Sequence, residues 1–263
     1  MDYDLIVIGS GPGGYVAAIR ASQLKMKTAV VERAEVGGIC LNWGCIPTKA
    51  LLKSAQVFEY VNHASDYGVT VSGDFKPDFK AMISRSRGVA DGMSKGVQFL
   101  FRKNGIEHIK GFGRLKNNNT VEVEDQSGNR KTYTAKNIIL ATGARSKELP
   151  NLMQDGKKII GYREAMSLET QPASMVVVGS GAIGSEFAWF YQSIGTDVTL
   201  VEFLPRVVPN EDEEVSKQLE RSFKKMKMKI MVDSSVESVV VNNDRCTVKI
   251  KTPKGEVIVE SDI

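Results

Sequence analysis

Asp4-Leu5-Ile6-Val7-Ile8-Gly9-Ser10-Gly11-Pro12-Gly13-Gly14 is the stretch whose reading decides the fold. Asp4 to Ile8 is short, apolar and rich in β-branched residues, and it stops at a glycine, as a fully buried parallel strand does. Tyr15 to Lys25 then has helical composition, and Thr28-Ala29-Val30-Val31 is a second strand ending on Glu32. Strand, glycine turn, helix, strand and acid in this order form the dinucleotide-binding βαβ fingerprint. Gly9 allows the tight turn, Gly11 lets a pyrophosphate approach the backbone, and Gly14 lets helix and strand pack closely. The helix N-terminus offers free N–H groups and a positive dipole end to the phosphates. Glu32 is placed to accept hydrogen bonds from a ribose.

The same unit recurs. Met175 to Val178 is a strand, Gly179-Ser180-Gly181-Ala182-Ile183-Gly184 opens a helix through Tyr191, and Asp197 to Val201 is a strand ending at Glu202. Gly9, Gly11, Gly14 and Glu32 map onto Gly179, Gly181, Gly184 and Glu202 at one constant offset of 170. Two complete copies predict an α/β chain with two Rossmann-like dinucleotide-binding domains, because solenoid periods are far shorter. The expected domains are 1–148 and 149–263, joined at Leu149-Pro150-Asn151. A carboxylate at Glu202 favours a free ribose 2′-hydroxyl, hence NAD over NADP. Arg206, four residues on, keeps a minor NADP tolerance open.

Between the copies, Ile46 to about Ala64 reads as a helix with Pro47 in its first turn, where proline is tolerated. Phe75 to Asn104 is a second helical region, weakened in its middle by Gly88, Gly92 and Gly96. Ile106–Ile109, Thr120–Val123 and Lys131–Thr134 read as a small antiparallel meander, and Asn137 to Gly143 as a buried strand ending in a small-residue turn. Ser235–Val241, Cys246–Lys251 and Glu256–Val259 form a second meander, turning at Asn242-Asn243-Asp244 and Pro253-Lys254-Gly255.

Composition narrows the class. The chain has 263 residues, 42% hydrophobic and 25% charged, as in ordinary soluble proteins. No apolar run reaches the ~18 residues of a membrane span. The N-terminus enters a strand directly without a leader-like segment, so either the protein is cytoplasmic or a leader has already been removed; the simpler expectation is cytoplasmic, away from membranes. The net charge of +4 gathers around Lys217, Arg221, Lys224, Lys225, Lys227 and Lys229, which reads as a solvated helix face. Without interleaved aromatics it implies no nucleic-acid partner.

The chemistry is carried by Gly37-Gly38-Ile39-Cys40-Leu41-Asn42-Trp43-Gly44-Cys45-Ile46-Pro47-Thr48-Lys49, which holds two of the 3 cysteines. Helix-like winding around Trp43 to Pro47 can bring the two Cα atoms within the ~7 Å that a disulfide needs. Cys45 falls in the first turn of the following helix, where the dipole lowers a thiol pKa, and Lys49 lies on the same face. A redox disulfide is favoured over inert thiols. No metal site is expected, since His63 and His108 are isolated. Cys246 reads as a buried structural thiol and Trp43 as a packing residue.

Gly38 to Leu52 resembles the redox segment of the pyridine nucleotide–disulfide oxidoreductases, most closely the dihydrolipoamide dehydrogenase branch, and the resemblance covers essentially the whole chain. It implies that Gly9, Gly11, Gly14, Glu32, Arg33, Gly38, Lys49, Gly113, Ala141, Thr142, Gly143 and Ala144 hold FAD. It makes Cys40 the interchange thiol, Cys45 the flavin-side thiol, and Lys49 a flavin neighbour paired with Glu186. Gly179, Gly181, Ile183, Gly184, Glu186, Glu202 and Val236 would hold NAD. Electrons would pass from dihydrolipoamide, carried on the lipoyl domain of a 2-oxo acid dehydrogenase or glycine cleavage complex, through the disulfide and FAD to NAD. Mercuric- and glutathione-reductase-like activities are the rival substrates.

The chain departs from the family pattern at Ser261-Asp262-Ile263, where the last strand of the NAD domain is expected to begin. The second FAD segment and the dimerisation domain, with the His-Glu pair that a homodimer partner contributes, are not in the sequence. The resemblance therefore implies an incomplete NAD domain and weak lipoamide activity for the chain alone. The reading from a different class is a truncated flavin- or nucleotide-binding module.

Overall fold

The computed structural model describes residues 1–242 and 244–263, so the turn expected at Asn242-Asn243-Asp244 lies partly outside the described residues. The chain forms two compact units, Met1–Pro47 with Ser86–Arg145 and Thr48–Arg85 with Ser146–Ile263.

The first unit begins with β1 (Tyr3–Ile8), α1 (Pro12–Gln23) and β2 (Thr28–Glu32). The short α2 (Gly38–Trp43) follows, and α3 (Cys45–Asn62) opens in this unit. The later part of α4 (Phe79–Lys103) then leads to β3 (Glu107–Lys110), β4 (Phe112–Asn117), β5 (Thr120–Glu124) and β6 (Arg130–Leu140). The sheet order is β3-β2-β1-β6-β5-β4. Successive side chains of β1 point to opposite faces. Leu5 and Val7 pack with Ala18, Val30, Val97 and Phe101, whereas Ile6 and Ile8 pack with Ala29, Val31, Ile109, Val121 and Val123.

The structure differs from the sequence expectation at two places. The strand expected at Ile106–Ile109 is no part of a meander: β3 pairs in parallel with β2, Ala29 opposite Glu107 and Glu32 opposite Lys110. A strand that follows a long helix is the return of a crossover, and crossovers make parallel pairs. The strands expected at Lys131–Thr134 and Asn137–Leu140 are one strand, β6, antiparallel to β5 in its first half and parallel to β1 in its second. No glycine or proline separates the halves, and only the change from polar alternation to an apolar run suggested a break. Gly88, Gly92 and Gly96 do not interrupt α4, although each costs about 1 kcal/mol relative to alanine.

In the second unit, α5 (Tyr162–Ala165) precedes β7 (Ser174–Val178), α6 (Ala182–Ser193), β8 (Asp197–Val201), α7 (Glu213–Lys225) and β9 (Lys229–Met231). The three strands form a parallel sheet in the order β7-β8-β9. A separate antiparallel sheet contains β10 (Ser235–Asn242), β11 (Arg245–Thr252) and β12 (Gly255–Ser261). Residues 48–85 group with this unit because Leu51, Ala55, Phe79 and Ile83 bury their side chains among Phe187, Phe190 and Tyr191. Cys246 is a free, buried thiol among Val201, Val236, Val248 and Ile250. The basic face of α7 carries ion pairs from Lys217 to Glu213 and from Lys224 to Glu220, each spanning four residues. Among the described residues no helix is long and apolar enough to cross a membrane.

Candidate functional site

Both βαβ units build the same cradle. Gly14 and Gly184 lie so close to the preceding turn that a Cβ on either would stand 1.9 Å from the carbonyl oxygen of Gly9 or Gly179. Gly9 and Gly179 have φ of +101° and +97°, in the left-handed region that glycine alone enters without strain. Gly11 and Gly181 are the N-caps of α1 and α6, and neither helix has a side-chain cap. Their first-turn N–H groups therefore have the helix-terminus geometry that suits a pyrophosphate.

The carboxylates at the strand ends are held by matching bonds. Ser10 donates to Glu32 Oε2 from its backbone N–H at 2.9 Å and its hydroxyl at 2.7 Å, and Ala34 N–H donates to Oε1 at 2.9 Å. Ser180 donates to Glu202 Oε2 at 2.7 and 2.8 Å, and Leu204 N–H to Oε1 at 2.9 Å. A carboxylate has about four acceptor sites, so each retains capacity toward a ribose. The serines escape a search for glycines, yet they obey the same offset of 170.

Burial pushes the Glu32 pKa upward, but the hydrogen bonds from Ala34 and Ser10 outweigh it and leave the carboxyl below its ordinary 4.5. A carboxylate with a depressed folded-state pKa stabilises the fold above its unfolded pKa and loses that contribution as pH falls through the folded value. Glu32→Gln is therefore expected to flatten the acid limb of thermal stability below about pH 4.5. Thermal melts from neutral pH to pH 3 check this, and an unchanged acid limb contradicts it.

The other flavin-side residues expected from the sequence lie at varied distances from the loop. Gly38 packs on it, where a Cβ would meet Gly11 Cα at 2.6 Å. Ala141 is also adjacent, its carbonyl oxygen 2.1 Å from an imagined Gly9 Cβ. Gly113 sits over Ile8 and Val31, and the Arg33 guanidinium lies 5.5 Å from the Phe112 ring. Thr142, Gly143 and Ala144 are exposed.

The cysteines form a disulfide between Cys40 in α2 and Cys45, the first residue of α3, with Cα atoms 4.7 Å apart. Gly44 makes the break between these helices, and a Cβ there would meet the Ile39 carbonyl oxygen at 3.1 Å. The buried Asn42 ties the hairpin to its own entry, donating to the carbonyls of Val36 at 3.0 Å and Gly38 at 2.9 Å. Cys40 is half-buried and Cys45 exposed.

In the second unit Lys49 Nζ donates to Glu186 Oε1 at 2.5 Å. Ile183 is exposed next to the second loop. Val236 is buried in the unit's core, and its carbonyl accepts from Asn151 at 2.9 Å. Arg206 holds its own loop, donating to the carbonyls of Pro209 at 3.1 Å and Glu211 at 3.4 Å. His63 follows α3 beside Glu59, and His108 lies half-buried in β3 against Phe101, so neither belongs to the cysteine hairpin. Among the described residues no cluster of His, Cys, Asp and Glu could hold a metal.

Comparison with known proteins agrees with this geometry. The pyridine nucleotide-disulphide oxidoreductase family profile matches residues 3–262. The chain is 48% identical over 260 residues to the dihydrolipoyl dehydrogenase of Zymomonas mobilis, covering 98% of this chain and 55% of that protein. It is 47% identical over 269 residues to the dihydrolipoyl dehydrogenase of Rhizobium etli, covering 97% of this chain and 56% of that protein. The crystal structure of LpdA from Mycobacterium tuberculosis superposes with a TM-score of 0.87 at 26% identity, covering 98% of this chain and 57% of that one. The chain thus spans about half the length of the curated relatives it matches. With two matching cradles, a cysteine hairpin seated on the first, and a profile match from end to end, the chain belongs to the pyridine nucleotide-disulphide oxidoreductase family.

Proposed function

We propose that the chain supplies the FAD-binding, disulfide-bearing and NAD-binding portion of a dihydrolipoyl dehydrogenase. The observation that carries this reading is the packing of Gly38, at the start of the Cys40 helix, on Gly11 of the first phosphate loop. It couples a thiol relay to a dinucleotide cradle. FAD and NAD supply the hydride chemistry when bound, and this chain's residues bind, orient and relay.

The first loop, Glu32 and Gly38 hold the flavin nucleotide, and Gly179, Gly181, Gly184 and Glu202 hold NAD. A substrate thiolate attacks Cys40 Sγ, forming a mixed disulfide and releasing Cys45 as thiolate. The second substrate thiol then attacks the mixed disulfide, closes the substrate disulfide and releases Cys40, which takes up that thiol's proton. Two electrons now reside on the cysteine pair and the substrate is oxidised. Lys49, held by Glu186, keeps a positive charge on α3 four residues beyond Cys45. Substrate and assembly follow the same reading: dihydrolipoamide on a lipoyl domain, turned over by a homodimer of the full-length protein.

Turnover by the full-length protein of dihydrolipoamide, oxidised glutathione and Hg(II) tests the substrate. Dihydrolipoamide-dependent NAD reduction is expected to dominate, and preferential Hg(II) reduction would reassign the chain to the mercuric branch. Cofactor choice has its own test. Arg206 is engaged with loop carbonyls, which supports NAD over NADP. A hydrogen bond to a charged group contributes about 1.5–3 kcal/mol, so Glu202→Gln is expected to weaken NAD binding about tenfold and narrow its preference over NADP. Titration calorimetry with both nucleotides reads this, and an unchanged ratio contradicts it.

A further inference from the structure

We propose that Arg87, Trp43 and Glu35 form a clamp that holds the cysteine helix in place while the Cys40–Cys45 bond is open, and so sets the redox poise of the pair. The inference rests on the reading of that pair as a redox disulfide.

Reduction by a dithiol takes two electrons and two protons to Cys40 and Cys45, while the dithiol closes to its own disulfide. The only covalent cross-link between α2 and the start of α3 is then gone. α2 has 6 residues, too few for a helix to hold its own shape in water. The Arg87 guanidinium lies 4.4 Å from the Trp43 ring centroid, in position for a cation–π contact. Its Nη2 donates to the Asn42 carbonyl at 2.7 Å, one of the last carbonyls of α2, where a positive charge also meets the helix dipole. Trp43 Nε1 in turn donates to Glu35 Oε1 at 3.2 Å. Arg87 Nε is buried and has no hydrogen-bond partner among the described residues, so the guanidinium gives up a solvent bond to reach this position.

None of these contacts involves a sulfur, so all persist when the disulfide opens. They keep Cys40 beside Cys45 and raise the effective concentration of one thiol at the other, which favours the disulfide. Weakening the clamp frees the dithiol form and makes the pair easier to reduce. A planar guanidinium stacks on a ring and a lysine ammonium does not, so the lysine variant should fall between the alanine variant and the parent.

The test equilibrates the 263-residue protein in dithiothreitol redox buffers and counts the cysteines trapped by alkylation. Arg87→Ala is expected to shift the dithiol–disulfide equilibrium about tenfold toward the dithiol, which is about 30 mV for a two-electron couple. Arg87→Lys is expected to give a smaller shift in the same direction. Arg114→Ala removes a comparable cation from the Phe112 ring in β4 and is expected to shift nothing. If Arg87→Ala does not fold, Arg87→Lys decides. A parent pair that titrates, with both Arg87 variants within about twofold of it, overturns the clamp alone. A parent pair that does not titrate overturns the redox reading and the clamp with it.

Discussion

Alanine at Gly14 is expected to abolish flavin binding and to prevent the first unit from reaching its native fold. The added Cβ would stand 1.9 Å from the Gly9 carbonyl oxygen and 3.4 Å from the Ala141 Cβ, so the contact is with backbone and no side chain can swing away. Relief requires α1 to move off β1, which breaks the packing of Ala18 and Ala21 against Leu5 and Val7. Overpacking that displaces backbone belongs to the tail of substitutions that cost more than about 4 kcal/mol. Gly13→Ala, one residue away, is the control, because its Cβ would meet nothing within 4 Å. Flavin retention on purification and thermal melts separate the two. Gly14→Ala with full flavin and a parental melting temperature would contradict the cradle. Gly184→Ala repeats the 1.9 Å clash in the second loop and is expected to lose NAD binding, whereas Gly181→Ala meets no neighbour.

Cys45→Ser and Cys40→Ser are each expected to lower dithiol-dependent turnover of the full-length protein at least ~10³-fold, since the proposed relay runs through both sulfurs and cannot run on one thiol. Electron flow from NADH to an artificial acceptor needs no disulfide and should survive in both variants. That contrast separates loss of the relay from loss of the fold. Cys246→Ser is expected to leave turnover unchanged, because that thiol is buried among Val201, Val236 and Val248. Substantial dithiol turnover in either hairpin variant would mean that the pair is structural.

Much of this design is legible in the amino-acid order, and the parts that are not share a cause. The two cradles show because each is local: strand, glycines, helix and acid fall within about 30 residues, the length of a βαβ unit. The constant offset even carries Ser10 and Ser180, whose bonds to Glu32 and Glu202 give that serine position its purpose. Lys49 and Glu186 form an ion pair, and it lies inside the second unit, whereas the family resemblance implied a pair between the two domains. By contrast, β3 misleads because four residues, Glu107 to Lys110, carry no sign of which strand they will join. The long β6 misleads because its two halves face different neighbours and so follow different patterns. Nothing near Trp43 announces Arg87, since the two meet only when the later part of α4 comes alongside the hairpin. Pairings between distant residues depend on tertiary packing, and local composition records only the elements that pack.

In the proposed function, one chain stores electrons on a cysteine pair beside a bound flavin. Anaerobic dithionite titration of the FAD-loaded protein tests it most directly by counting electrons. The parent is expected to take up four per chain, two at the Cys40–Cys45 disulfide and two at the flavin. Cys45→Ser is expected to take up two. A parent that takes up two, with its disulfide intact at the end point, would contradict the account.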